Sequence, residues 1–393
     1  MGACAVPDGG LFRAARFRDV HLYEGFANAV FDGRVPYRDF FMEYPPGSLA
    51  VFLPPAAVVD HYNVAFKALM TLCGAATLVV VALLVARLRA STFRLWAVLL
   101  LVALSPIALG PISLNTYDAW PALLTVVALA LLLAAQPVLA FALLGLAFAA
   151  KVYPVVLLPA ALVFVWRTAG RAPAVRSLAA FGSVAALVVV PFLVLAPHGL
   201  AESFRAQAAR GLQDESLGAS FLGVADRLGW YSATVVERAG EAVSFELVGL
   251  LPRAFAAASS VAQVGAVLLV LWLYLRGRDE PRRLAVSFAA SVAGFLAFTR
   301  FFSPQYLVWL VPLVALLRPR AWALAAAALV LAHVWFFHYH DVHAVGGYVW
   351  LVFARDLVVV ALFVVALLAL RRGASEDEDP VILEDQAPVR APS

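Results

Sequence analysis

Residues 18–47, RDVHLYEGFANAVFDGRVPYRDFFMEYPPG, gather Asp, Glu, Arg, Tyr and His just ahead of almost continuous apolar sequence. The chain is 64% hydrophobic and 14% charged, so such a cluster of proton acceptors and anion holders needs a reason; the plain alternative is a solvated helix and loop. Other stretches carry groups of the same kind. NTYD puts Asp118 at a helix start, and AKVYP sets Lys151 inside apolar sequence. FRAQAARGLQDESLGASFLG, residues 204–223, offers Arg210, Gln213, Asp214, Glu215 and Ser216, and RFFSPQYLVW offers Arg300, Ser303, Gln305, Tyr306 and Trp309. HYHDVH, with His338, His340, Asp341 and His343, has metal-ligand types at plausible spacing. It also reads as a solvated turn.

These groups depend on the elements that carry them. Asp19 stands where an N-cap would, and Val20, Tyr23, Ala27 and Phe31 follow at spacings of three and four, which predicts a short amphipathic helix ended by Asp32-Gly33. After a loop with Pro36, Tyr44-Pro45-Pro46-Gly47 brings the chain stiffly to the membrane, because proline fixes φ and cannot continue a helix. Residues 204–223 read as a re-entrant or interfacial helix pair over a cavity, or as a loop packed on the bundle.

A 393-residue chain with a mean hydropathy of +0.89 cannot be a soluble domain, since its surface would be as apolar as its core. The fold class is all-α, polytopic, with about eleven crossings: roughly 64–87, 93–109, 118–134, 137–150, 152–166, 177–197, 255–275, 284–299, 303–317, 321–338 and 347–370. The pI near 9.2 is no nucleic-acid signal, because the arginines fall in short clusters between apolar runs. Only Cys4 and Cys73 occur, so there is no disulfide framework.

Clusters at Arg87/Arg89/Arg94, Arg167/Arg171/Arg176, Arg276/Arg278/Arg282/Arg283, Arg318/Arg320 and Arg371/Arg372 all fall on the cytoplasmic side only if 137–166 crosses twice, with a break at Lys151-Val-Tyr-Pro154. The chain then divides into an external segment 1–63 with the acidic loop, a bundle 64–370 with an external loop at about 198–254, and an acidic cytoplasmic tail 371–393 that reads as disordered. The polar groups collect on the outer face. Residues 1–17 carry Arg13 and Arg16 without an apolar run, so a leading helix of about 20 residues is expected upstream. No internal repeat and no midplane carboxylate stands out among the apolar runs.

In this order, EYPPG, NTYD, AKVYP, QDES and RFFSPQYLVWLVPL resemble the polyprenyl-phosphate-sugar-dependent glycosyltransferases of the GT-C fold, and within them glycosyltransferase family 87, which includes mycobacterial α-mannosyltransferases. The resemblance spans about residues 18–370. It implies a GT-C-like bundle, here without its first helix, that moves mannose or a similar sugar from a polyprenyl-phosphate donor to a cell-envelope glycan or glycolipid at the outer leaflet of the cell membrane, with inversion.

By position, the resemblance makes Asp19 the catalytic base. Asp118 is either a helix-start residue suited to the dipole or a group that binds sugar or metal. Lys151 and Arg300, then Arg210, are the cations placed to hold a lipid phosphate, although Lys151 also reads as a side chain reaching for the interface. Glu215, Gln305 and Tyr306 complete the expected substrate contacts; Tyr306 and Trp309 also read as interfacial belt aromatics. No motif demands a cofactor, and a divalent cation shared with Asp19 is an option. A lipid-linked sugar flippase or a polytopic transporter is the rival reading.

Overall fold

A computed structural model of the chain describes residues 19–58, 61–88, 91–238, 244–338 and 348–372. The tail beyond Arg372, the start of the chain and most of HYHDVH lie outside them. Helix α1 (Asp19–Phe31) ends where Gly33 takes φ +82°, and a 3₁₀ turn at Pro46–Ser48 leads into α2 (Leu49–Val58). Then come α3 (Tyr62–Arg87), α4 (Thr92–Leu109), α5 (Ile112–Asn115), α6 (Ala119–Leu133), α7 (Pro137–Ala150), α8 (Leu158–Ala169) and α9 (Arg171–Leu195). The long loop holds α10 (Pro197–Ala208), β1 (Leu212–Gln213), α11 (Leu217–Arg227), β2 (Thr234–Arg238) and β3 (Ser244–Val248). The chain closes with α12 (Leu250–Leu275), α13 (Pro281–Ala297), α14 (Leu307–Val314), α15 (Pro319–His338) and α16 (Val349–Arg372).

The protein is an all-α polytopic membrane protein. Among the described residues, six helices, α3, α4, α9, α12, α15 and α16, are long and apolar enough to cross a membrane. Leu72 on α3 and Leu187 on α9 are 66% and 75% exposed, apolar surface that lipid rather than water must cover. Helix α13 lies inside the bundle, with nearly every side chain from Arg283 to Ala297 buried. Its small residues permit this: a Cβ on Gly294 would stand 3.0 Å from the Cβ of Ala266 on α12.

Helix α1 has the predicted bounds, and Val20, Tyr23 and Ala27 are buried as the spacing requires. Phe31 is not. It is 57% exposed at the point where the chain leaves the bundle, and Phe26 takes its place on the buried face. The predicted break at Lys151 is present: α7 stops at Ala150, Lys151 is extended (φ −157°, ψ 138°), and a 3₁₀ turn at Tyr153–Leu157 precedes α8. Two features went unpredicted. The apolar segment after YPPG folds as α2, and the external loop contributes a three-stranded antiparallel sheet in the order β1-β3-β2, pairing Gln213 with Glu246 and Glu246 with Val236.

The EYPPG and AKVYP segments meet. A Cβ on Gly47 would lie 2.6 Å from the carbonyl carbon of Ala149 and from the nitrogen of Ala150, so only glycine lets the turn press against the end of α7. The stiff prolines before it then fix where Tyr44 stands relative to Lys151. Gly47→Ala is expected to cost about 1–3 kcal/mol through overpacking against backbone, read as a lower melting temperature in detergent; an unchanged melt would show that the turn can move aside.

Candidate functional site

Asp19 opens α1 and is half-buried above an aromatic layer. Tyr23 stacks on Phe52 at 4.2 Å, and Tyr44 meets Tyr117 edge-on at 5.4 Å. Tyr44, whose backbone carbonyl accepts from the Tyr37 hydroxyl, donates its own hydroxyl to Asp19 Oδ1 at 3.4 Å. Burial, then the nearby Glu43 carboxylate, pushes Asp19 up to about 6. Burial also raises Glu43, against the pull of Arg210 and Arg238. Two carboxylates in one low-dielectric corner resist ionising together. Glu43→Gln is therefore expected to draw Asp19 back toward the ordinary carboxylate range, seen as the acid limb of a pH–rate profile moving to lower pH.

Lys151, extended at the end of α7, donates to Asp118 Oδ1 at 2.8 Å, and the Trp309 indole donates to the same oxygen at 2.7 Å. The ammonium stands 4.4 Å from the Tyr117 ring centroid and 5.2 Å from those of Tyr306 and Trp309, a cation in an aromatic box. Trp309 in turn lies between Tyr306 and Tyr153, with centroids 4.3 and 4.1 Å away. Both Tyr306 and Trp309 are buried, so neither belongs to an interfacial belt. Asp118 occupies the N-cap position of α6, yet its carboxylate caps nothing and turns instead to Lys151 and Trp309.

A cavity of about 650 Å³ joins these groups. Asp19, Glu43, Lys151, Arg210, Glu215, Arg300, Gln305 and Tyr306 all line it, so seven of the eight residues singled out from sequence converge, with Glu43 in addition. Asp118 is the one that does not line it; it lies behind the wall, 1% exposed, holding Lys151 in place. Arg300 donates to the Ala208 carbonyl at 2.6 Å, and Arg210 faces the Phe301 ring at 5.5 Å. Phe204, Phe295, Phe301 and Phe336 give the cavity an apolar side. Among the described residues, no group of three or more His, Cys, Asp or Glu is arranged to hold a metal ion; His340, Asp341 and His343 lie outside them.

A cavity that joins a carboxylate near neutrality, three cations and an apolar wall in a multi-pass bundle suits transfer chemistry on an amphipathic substrate. A protein-family model, glycosyltransferase family 87, matches residues 41–304. The chain belongs to glycosyltransferase family 87. It is a membrane glycosyltransferase. No curated protein and no solved structure matches it. Glu43, Asp118, Lys151, Arg210, Glu215 and Arg300 fall within the matched span of this family 87 enzyme, whereas Asp19, Gln305 and Tyr306 flank it.

Sequence reasoning missed the support of Glu215 in this family 87 chain. Arg355, fully buried on α16, donates to the Glu215 backbone carbonyl; its Nη2 and Nε donate to Asp356 Oδ1 at 2.8 and 3.1 Å, and its Nη1 lies 3.5 Å from Glu215 Oε1. Trp335 donates to Glu215 Oε1 at 2.8 Å, and Ser220 to Asp356 Oδ2 at 2.6 Å. Burial pushes Glu215 and its neighbour Asp214 above the usual carboxylate range. The signal was available: adjacent opposite charges inside VWLVFARDLVVV, an otherwise apolar helix. Asp356 is a buried carboxylate inside an apolar helix that the sequence reading did not single out.

Proposed function

We propose that this glycosyltransferase takes its sugar from a polyprenyl-phosphate donor and passes it to a hydroxyl of an envelope glycan or glycolipid, at the outer leaflet and with inversion. The observation that carries the reading is the shared cavity, in which the Asp19 carboxylate faces the same space as Lys151, Arg210 and Arg300. Asp19 accepts the proton of the acceptor hydroxyl as its oxygen attacks the anomeric carbon. The bond from that carbon to the phosphate oxygen breaks on the opposite face, and the lipid phosphate leaves with the electron pair. Arginine and lysine hold its charge through charge-assisted hydrogen bonds. The apolar side of the cavity takes the first isoprene units, and mannose is the sugar favoured by the family resemblance.

Membranes carrying the chain should transfer labelled mannose from polyprenyl-phosphate mannose. Product formed from a nucleotide-sugar donor but not from the lipid phosphate would sink the donor assignment, and product retaining the donor's anomeric configuration would sink the single displacement.

A further inference from the structure

A second cavity, of about 790 Å³, opens where the ends of α12, α13 and α16 meet. It stands at the other end of the bundle from the candidate site: Arg355 and Arg371 are 16 residues apart on α16, roughly 24 Å at 1.5 Å per helical residue. Arg276, Arg278, Arg283 and Arg371 line it, with Glu280 as the one acid. Arg87, Arg94 and Arg167 of other clusters are occupied with helix-end carbonyls. Arg94 donates to Leu316 and Leu317, each at 3.0 Å, and Arg167 to Leu275 at 2.9 Å and, more weakly, to Asp279. Here the arrangement differs. Arg276 lies flat on Trp272, 3.8 Å from the ring centroid, and among the described residues Arg278 and Arg371 have no hydrogen-bond or ion-pair partner.

Arg283 forms the floor. Its guanidinium donates to the carbonyls of Leu370 at 2.5 Å and Leu273 at 3.0 Å, which ties α13 to α16 and α12. It rests directly against Gly277, where a Cβ would stand 2.1 Å from its central carbon. Its buried Nε has no acceptor among the described residues. The cavity thus sets four arginines, one fixed by carbonyls and the others adjustable, against a single carboxylate. The remaining wall is apolar and faces outward: Leu269, Trp272, Val364 and Leu368 are 40–46% exposed on helices long enough to cross a membrane. A ligand must match both halves.

We propose that this cavity binds an anionic phospholipid, with the phosphate headgroup among Arg276, Arg278 and Arg371 and the acyl chains along Trp272, Val364 and Leu368. A basic pocket between helix ends at a membrane boundary recognises such headgroups by charge, and the apolar groove supplies the part of the affinity that free phosphate lacks. The acidic run Glu376-Asp377-Glu378-Asp379, which follows Arg372 closely in sequence, is the competing occupant.

The test is native mass spectrometry of the full chain in detergent with phosphatidylglycerol and phosphatidylcholine of the same acyl composition. Phosphatidylglycerol should be retained preferentially and should raise the melting temperature. The R276Q/R278Q/R371Q variant should bind it about 100-fold more weakly, since each basic group at an anionic lipid surface contributes roughly fivefold. Should that variant not fold, Trp272→Ala keeps every charge and should still weaken retention severalfold. Equal retention of the two lipids, or undiminished retention by the variants, overturns the proposal. Full displacement by millimolar inorganic phosphate makes this a simple anion site and also overturns it. Binding that appears only when residues 373–393 are deleted makes the tail the occupant and overturns it too.

Discussion

Asn at position 19 is expected to lower sugar transfer by roughly 10²- to 10⁴-fold, the loss typical when a general base is removed. The substitution keeps shape and one hydrogen-bond acceptor for the Tyr44 hydroxyl, so binding and insertion should survive. The wild-type rate carries a matching pH signature. Asp19 can take a proton only when ionised, and burial with Glu43 holds it at about 6, so kcat/KM should rise as pH climbs through about 6 and level off above. The stability linkage has the opposite sense. A carboxyl whose folded pKa is raised favours the protonated fold, so its contribution falls as pH rises from the unfolded value of 3.8 to about 6. The Asn variant should therefore melt no lower than wild type at pH 7.5. Normal transfer with Asn at this position would remove Asp19 as the base, whatever the donor proves to be. Asp118→Asn is the contrasting case. It leaves the Lys151 ammonium in its aromatic box without a carboxylate, so any loss of rate there should come with a lower melting temperature.

What the sequence made legible, and what it hid, follows from which forces are local. Proline and glycine act on their own backbone, so the end of α1 at Asp32-Gly33 and the interruption at Lys151-Val-Tyr-Pro154 could be read directly. Polar groups in apolar sequence announce that they need a partner, which is why Lys151 and Arg300 stood out; they share one cavity with Arg210 and Glu215 of the external loop. Who the partner is depends on packing between distant segments. Nothing near Asp118 in sequence says that Lys151 and Trp309, 33 and 191 residues away, will meet at its Oδ1. The same holds for the sheet. β1 is two residues long, too short for any alternation to show, and it forms because Gln213 finds Glu246 across the loop. Helix α2 was hidden for a different reason: Pro54 and Pro55 sit inside it and argue locally for a turn, yet burial of Leu49, Val51 and Phe52 against the aromatic layer under Asp19 outweighs them.

Arg355→Met is expected to lower stability by about 3–5 kcal/mol, the cost of stripping one partner from a buried ion cluster. The guanidinium is wholly buried, and no water can replace what it gives to Asp356, to the Glu215 backbone and to the face of Phe302, 4.2 Å away. Methionine fills much of the volume, so the loss should come from the charges left behind rather than from a cavity. That distinction is testable. Adding Asp356→Leu to the variant removes one abandoned carboxylate and should recover part of the lost melting temperature, whereas a cavity would stay as costly as before. The effect should also reach the chemistry. Arg355 holds the Glu215 backbone and side chain, and Glu215 lines the cavity wall, so the single variant should raise the KM for donor or acceptor. The position of the acid limb near pH 6 should not move, because Arg355 does not figure among the groups that set Asp19. A shifted limb with unchanged KM would mean that α16 acts on the base itself, and that the Asp19 and Glu215 clusters are one electrostatic unit rather than two.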